Sequence, residues 1–140
     1  MTSGHRQIDH TADVAFELWA PDEAELLVEG ARAVVEVLTG ESTGGVAGHS
    51  VESRRVVLSA LDPEDRLVQW LNEIIVLAVL EGFVFESADV TLEGEGGLEA
   101  KIVGVTDPSR VITELKSATY HDLVLERSGG RAFARVVLDV

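Results

Sequence analysis

Polar and apolar residues alternate from His10 to Ala20. Ala12, Val14, Phe16 and Leu18 fall on one side of an extended backbone; Thr11, Asp13, Glu17 and Trp19 fall on the other. That period of two predicts a half-buried strand, stopped by Pro21-Asp22. The period then changes. Leu26, Leu27, Ala31, Val34 and Leu38 form an apolar stripe at helical spacing, which predicts a helix over Glu23–Leu38. Asp22 is placed to cap its start, and Gly40 lies just past its end. Glu41–His49, rich in Gly, Ser and Thr, reads as a mobile loop.

Val51–Leu61 reads as a second strand. Asp62-Pro63-Glu64-Asp65 is the clearest helix start in the chain: a cap, a proline suited to the first helical position, then acids in the first turn. The helix is predicted to run to Glu81 and end at Gly82. Leu67, Leu71, Ile74, Ile75, Ala78 and Val79 form its stripe, with Trp70 alongside as a core residue. Four strand-like stretches follow: Phe83–Glu93, Leu98–Val105, Ile112–Arg127 and Arg131–Val140. Gly94-Glu95-Gly96-Gly97 and Ser128-Gly129-Gly130 read as hairpin connections, and the long Ile112–Arg127 stretch is expected to bend or split. The order β-α-β-α followed by strands predicts an α+β fold, two helices packed against a mainly antiparallel or mixed β-sheet. At 140 residues, a single domain over 1–140 is expected.

Composition narrows the chemistry. With no cysteine, disulfides, thiol nucleophiles, iron–sulfur clusters and thiolate zinc sites are excluded, and a reducing compartment fits. Met1–Arg6 carries no apolar run of the signal-peptide kind. The longest apolar stretch, Ile74–Leu80, is too short to span a membrane. The net charge of −14 provides no basic footprint for nucleic acid. It reads either as a solubility or salt-adaptation charge or as a match to a partner with a basic surface.

Four segments mix polar and apolar residues beyond what a core requires: Asp9-His10-Thr11-Ala12-Asp13, Trp70-Leu71-Asn72-Glu73, Glu114 to His121, and Val136-Val137-Leu138-Asp139-Val140. If Val140 is the natural end, its α-carboxylate lies one residue from that of Asp139. Two such anions repel unless a cation or hydrogen-bond donors compensate. A third carboxylate nearby makes an all-oxygen site suited to Ca²⁺, Mg²⁺ or Mn²⁺. Periodicity puts Arg135, Val137 and Asp139 on one face of the last strand, and Asp13 opposite Val14 and Phe16. A solvated aspartate near a frayed terminus satisfies the same pattern, and periodicity alone does not bring the two ends together.

Taken together, Asp9-His10-Thr11-Ala12-Asp13, Trp70-Leu71-Asn72-Glu73, Lys116-Ser117-Ala118-Thr119-Tyr120-His121 and Ala134 to Val140 resemble the archeases, in order and at about the right spacing across almost the whole chain. Any one of these motifs alone is weak; the combination is specific. The resemblance implies a small cytoplasmic α+β protein that is not itself an enzyme. It implies an activator of the RNA ligase that joins RNA 3′-phosphate or 2′,3′-cyclic phosphate ends to 5′-hydroxyl ends. That ligase uses GTP and manganese, and the archease assists guanylylation of its histidine and sustains repeated turnover. RNA is then met only through the ligase, in tRNA splicing and RNA repair. The resemblance also implies one divalent cation held by Asp13, Asp139 and Val140, and a functional lysine at Lys116. Two positions depart from the family pattern: Leu138 stands where an aromatic residue is common, and Asp122 where glycine is common.

Each remaining residue has a functional and a structural reading. Asp9 is a further ligand or an anchor for the strand; His10 is a ligand, proton shuttle or orienting group, or a packed histidine bonded to backbone. Lys116 meets a phosphate or the acidic cluster, or is a solvated strand lysine. Tyr120 and His121 contact the ligase, or form a cross-strand pair that sets register. Two other functions compete with ligase activation. One is a stand-alone metal-dependent phosphoesterase, for which the chain offers no Gly-rich phosphate loop, zinc-protease helix or serine elbow. The other is an assembly chaperone for a nucleic-acid enzyme.

Overall fold

The computed structural model describes residues 2–8, 13–41 and 50–140. Its elements are, in order, β1 (Gly4–Ile8), β2 (Val14–Ala20), α1 (Glu23–Thr39), β3 (Glu52–Ser59), α2 (Pro63–Glu81), β4 (Phe83–Glu93), β5 (Gly97–Thr106), a 3-10 turn (Pro108–Arg110), β6 (Ser117–Ser128) and β7 (Arg131–Asp139). Both helices start and stop where local chemistry dictates. The Asp22 and Asp62 carboxylates each accept an amide N–H of the first turn at 2.8 Å, satisfying a donor the helix itself leaves open. Gly40 and Gly82 end the helices at φ 72° and 69°, a left-handed conformation that glycine adopts without Cβ strain.

The strands form two antiparallel sheets, ordered β1-β2-β7-β6 and β3-β5-β4, where the alternation led us to expect one. Each helix packs on strands of both sheets, and a single apolar cluster runs through all of them. The stripes of α1 and α2 are buried in it, except that Val79 is half exposed at the end of α2. Trp70 is fully buried, donates its indole N–H to the Leu27 carbonyl at 2.7 Å and meets Phe85 edge-on. β1 carries no apolar alternation and was not anticipated. It forms as an edge strand, paired from Gly4–Trp19 to Ile8–Ala15.

A buried cation ties the layers together. Arg66 is 1% exposed and donates to the Glu23 carboxylate at 2.5 and 3.2 Å. It also donates to the carbonyls of Gly94 and Gly97 at 3.1 and 2.9 Å. One side chain thus joins the start of α1, the start of α2 and the β4–β5 turn. Arg127 of β6 reaches the second Glu23 oxygen at 3.0 Å from the solvent side.

The stretch Ile112–Arg127 splits, as its length implied. Residues 112–116 are not strand: the amides of Ile112 and Thr113 donate to the Leu38 carbonyl at 2.9 and 3.1 Å, finishing the end of α1. β6 begins only at Ser117, and its pairing with β7 is interrupted between Thr119 and Val124. Inside that interruption Asp122 has φ 52°. An L-residue is disfavoured there, which explains physically why glycine suits the position. Asp122→Gly is therefore expected to stabilise the fold by up to about 1 kcal/mol. A thermal midpoint equal to or below the parent's would contradict this. Of the predicted mobile loop Glu41–His49, all but Glu41 lies outside the described residues.

Candidate functional site at the acidic end of the four-stranded sheet

Strand register decides which polar residues meet. β2 and β7 pair from Val14–Leu138 to Ala20–Ala132, which leaves Asp13 level with Asp139. β6 joins on the other side, with Ser117 opposite Asp139. Residues directly opposite in antiparallel strands project to the same side of the sheet, so Asp139 and Ser117 share one face, at the end of the sheet where Asp13 leads into β2. The amide of Lys116 donates to the Asp139 carbonyl at 2.9 Å, closing the ladder beside Val140. Asp13 is half-buried; Asp139, Val140 and Lys116 are exposed.

The rest of that face fixes the register. Four residues along β2 from Asp13, Glu17 sits between Arg6 of β1 and Arg135 of β7, with contacts of 2.6 and 2.9 Å. Hydrogen bonds from Arg135 and Arg6 hold the Glu17 carboxyl below its ordinary value. A one-residue slip of β2 against β7 would break this triad and shift Asp13 out of step with Asp139.

Asn72 sets the other border. It projects from α2 and brackets Ala118, accepting the Ala118 N–H at 2.7 Å and donating to the Ala118 carbonyl at 3.5 Å. The edge strand β6, which begins directly after Lys116, is thereby fixed to the helix. Thr119 donates to the Val137 carbonyl at 2.9 Å. The Tyr120 hydroxyl donates to Asp65 in the first turn of α2. With the Leu61 amide and Gln69 also donating to it, the Asp65 carboxyl lies below its usual range.

The sequence-derived set therefore divides. The structure brings together Asp13, Asp139, Val140 and the backbone of Lys116. Tyr120 is tied to α2, and both it and His121 lie outside the β6–β7 register, which is interrupted between Thr119 and Val124. His121 lies exposed at the interruption, 3.3 Å from the Asp122 carboxylate. Asp9 and His10 lie outside the described residues. Among the described residues no three Asp, Glu or His side chains converge as a metal cluster. The donors present are two carboxylates and the backbone of Val140. All are oxygen donors, a chemistry that fits a hard cation and not zinc.

A second polar contact escaped the sequence reading. His5 of β1 lies between two α1 carboxylates, Nδ1 to Glu29 and Nε2 to Glu36 at 2.5 Å. A histidine in a short polar strand gives no periodic signal; only folding brings Glu29 and Glu36 to it. Burial lowers the His5 pKa, but hydrogen bonds that the ring donates to Glu36 and Glu29, with their negative charge, outweigh it and leave the value raised. The sign follows. The clamp contributes fully below the unfolded histidine value of about 6.5 and is lost as pH rises through the higher folded value. Urea midpoints are expected to fall across that window in the parent and to change less in His5→Gln. Parallel pH profiles would contradict this.

Comparison with known proteins extends these observations. Residues 5–140 match the model of the Archease protein family. The chain is 34% identical to Protein archease of Methanopyrus kandleri over 142 residues, covering 96% of this chain and 97% of that one. It is 31% identical to Protein archease of Methanosarcina mazei over 143 residues, covering 97% and 95%. The solution structure of Methanobacterium thermoautotrophicum protein 1598 superposes with a TM-score of 0.72 at 25% identity, covering 98% of this chain and 99% of that one. The crystal structure of a Thermotoga maritima archease, described as a possible chaperone, superposes at 0.63 with 26% identity, covering 96% of each. With the family model matched from His5 to the last residue, and the α+β architecture shared with both solved structures, the chain belongs to the archease family.

Proposed function

We propose that the chain is a metal-binding accessory protein, not an enzyme, that activates a GTP-dependent RNA ligase in the cytoplasm. In this role it promotes guanylylation of the ligase and its repeated turnover in tRNA splicing and RNA repair. One observation carries the reading: the β2–β7 register brings the residue before β2, Asp13, to the same end of the sheet as Asp139 and Val140. Neighbouring carboxylates at one end of a sheet favour a divalent cation, Ca²⁺, Mg²⁺ or Mn²⁺. A net charge of −14 opposes direct RNA binding and suits a ligase whose nucleotide site is cationic. Among the described residues no helix is long and apolar enough to cross a membrane.

The test is a multiple-turnover ligation assay with purified ligase, RNA ends, GTP and Mn²⁺. The parent chain is expected to sustain turnover. Asp13→Ala and Asp139→Ala are expected to abolish stimulation while circular dichroism stays unchanged. Full stimulation by either folded variant would sink the proposal, and RNA turnover without ligase would favour a phosphoesterase. The chaperone reading draws on the possible-chaperone description of the Thermotoga maritima archease. Stimulation that persists in chelator, with GTP-charged ligase, would favour it.

A further inference from the structure

The last turn of α2 and the segment after the 3-10 turn enclose an open groove of about 430 Å³. Val79, Leu80 and Ile112 line it and are 50%, 78% and 72% exposed. Val76, one turn earlier on the same helix, is 46% exposed and extends the surface. Large apolar side chains scattered singly on a surface need no explanation, but a contiguous patch in a concave site marks an interaction surface.

The groove is built in advance. The Asp107 amide donates to the Gly82 carbonyl at 2.9 Å, and Ile112 and Thr113 are held by the Leu38 carbonyl. Pro108 packs so closely on Gly82 that a Cβ there would lie 2.5 Å from the proline ring. A partner therefore meets walls already ordered, which reduces the entropic cost of association.

Its electrostatics restrict the occupant. Glu114 stands on the rim, as does Glu81, which Arg54 of β3 pairs at 3.2 Å. The last turn of α2 has no basic residue, so the negative end of the helix dipole adds to Glu114, uncompensated among the described residues. A second copy of a chain with net charge −14 is repelled by such a rim. A segment with a large apolar side chain flanked by lysine or arginine fits both floor and rim. Position favours the same partner as the acidic end. Ile112 is four residues before Lys116, whose amide bonds Asp139, a span of at most roughly 14 Å.

We infer that this groove anchors the ligase: an apolar side chain of the ligase, flanked by basic residues, inserts between the end of α2 and Ile112 while the acidic end reaches the nucleotide site. The inference rests on the ligase reading above and adds the docking surface to it. Calorimetric titration of purified ligase into the parent, Leu80→Asp, Ile112→Asp, Glu114→Lys and Asp13→Ala tests it, with terbium luminescence reporting metal uptake. Leu80→Asp and Ile112→Asp are expected to bind ligase about tenfold more weakly or worse with metal uptake intact. Glu114→Lys is expected to weaken binding and flatten its salt dependence. Asp13→Ala is expected to lose metal uptake yet keep the groove contribution.

Parent-like ligase affinity in folded Leu80→Asp and Ile112→Asp would overturn the docking surface and leave the ligase reading standing. Failure of the parent chain to bind or stimulate ligase would overturn that reading and the inference with it. A parent dimer in sedimentation that Leu80→Asp converts to monomer would assign the groove to a second copy instead.

Discussion

Replacing Arg66 by alanine is expected to lower the unfolding free energy by about 3–5 kcal/mol, the usual result of removing one partner of a buried ion pair. The side chain is 1% exposed, and its donors serve Glu23 and two carbonyls of the β4–β5 turn. Its loss leaves those carbonyls short of a donor and Glu23 with Arg127 alone, in a place water reaches poorly. Arg127→Ala removes the solvent-side contact, where Arg127 is 46% exposed, and is expected to cost about 1 kcal/mol or less. Against a total stability of about 5–15 kcal/mol, the first change threatens the fold and the second does not. Urea denaturation of both variants measures the contrast, and equal midpoints would refute it.

The other large effect is expected at the acidic end. Asp13→Asn and Asp139→Asn keep side-chain size and strand register while removing one charge each from the proposed cation site. Each is expected to weaken metal uptake by at least about 10- to 100-fold, the range reached when only a partner of a ligand is lost. The double variant is expected to show no saturable uptake. Both aspartates lie at strand ends and Asp139 is exposed, so thermal midpoints in chelator should stay close to the parent's. Terbium or manganese titration reads the first half and differential scanning calorimetry the second. Undiminished uptake by Asp139→Asn would remove that residue from the site. If uptake falls and ligase stimulation persists, the metal is incidental to activation.

Much of the fold was legible along the chain because its signals are local. Asp22 with Gly40, and Asp62-Pro63 with Gly82, bound the helices through backbone groups only a few residues away. The glycine-rich turns at Gly94–Gly97 and Ser128–Gly130 placed two hairpins within one or two residues of the observed strands. The end of Ile112–Arg127 was readable and its beginning was not. Ile112 is apolar like a strand residue, but its amide is taken by Leu38, a partner 74 positions earlier, 112 − 38. Val79 fits the helical stripe and is nevertheless half exposed, because among the described residues no element covers that side of the end of α2.

The sequence by itself determined the α+β class, both helices with their caps, most strands, and the presence of carboxylates near the two ends. Its family motifs supplied the expectation that those ends meet. Only the tertiary structure decided that there are two sheets, that β1 lies at an edge, and that β2 and β7 are neighbours with Asp13 level with Asp139. It alone placed Asn72 on Ala118, Tyr120 on Asp65, His5 between Glu29 and Glu36, and an open apolar groove beside the acidic rim. The physical reason is range. Caps, turns and periodicity act over a few residues and are written in order along the chain. Strand register joins residues up to 124 positions apart, 138 − 14, as Val14 and Leu138 are, and ion pairs join residues as far apart as Glu17 and Arg135, 118 positions. They are set by which burial and pairing satisfy all elements at once.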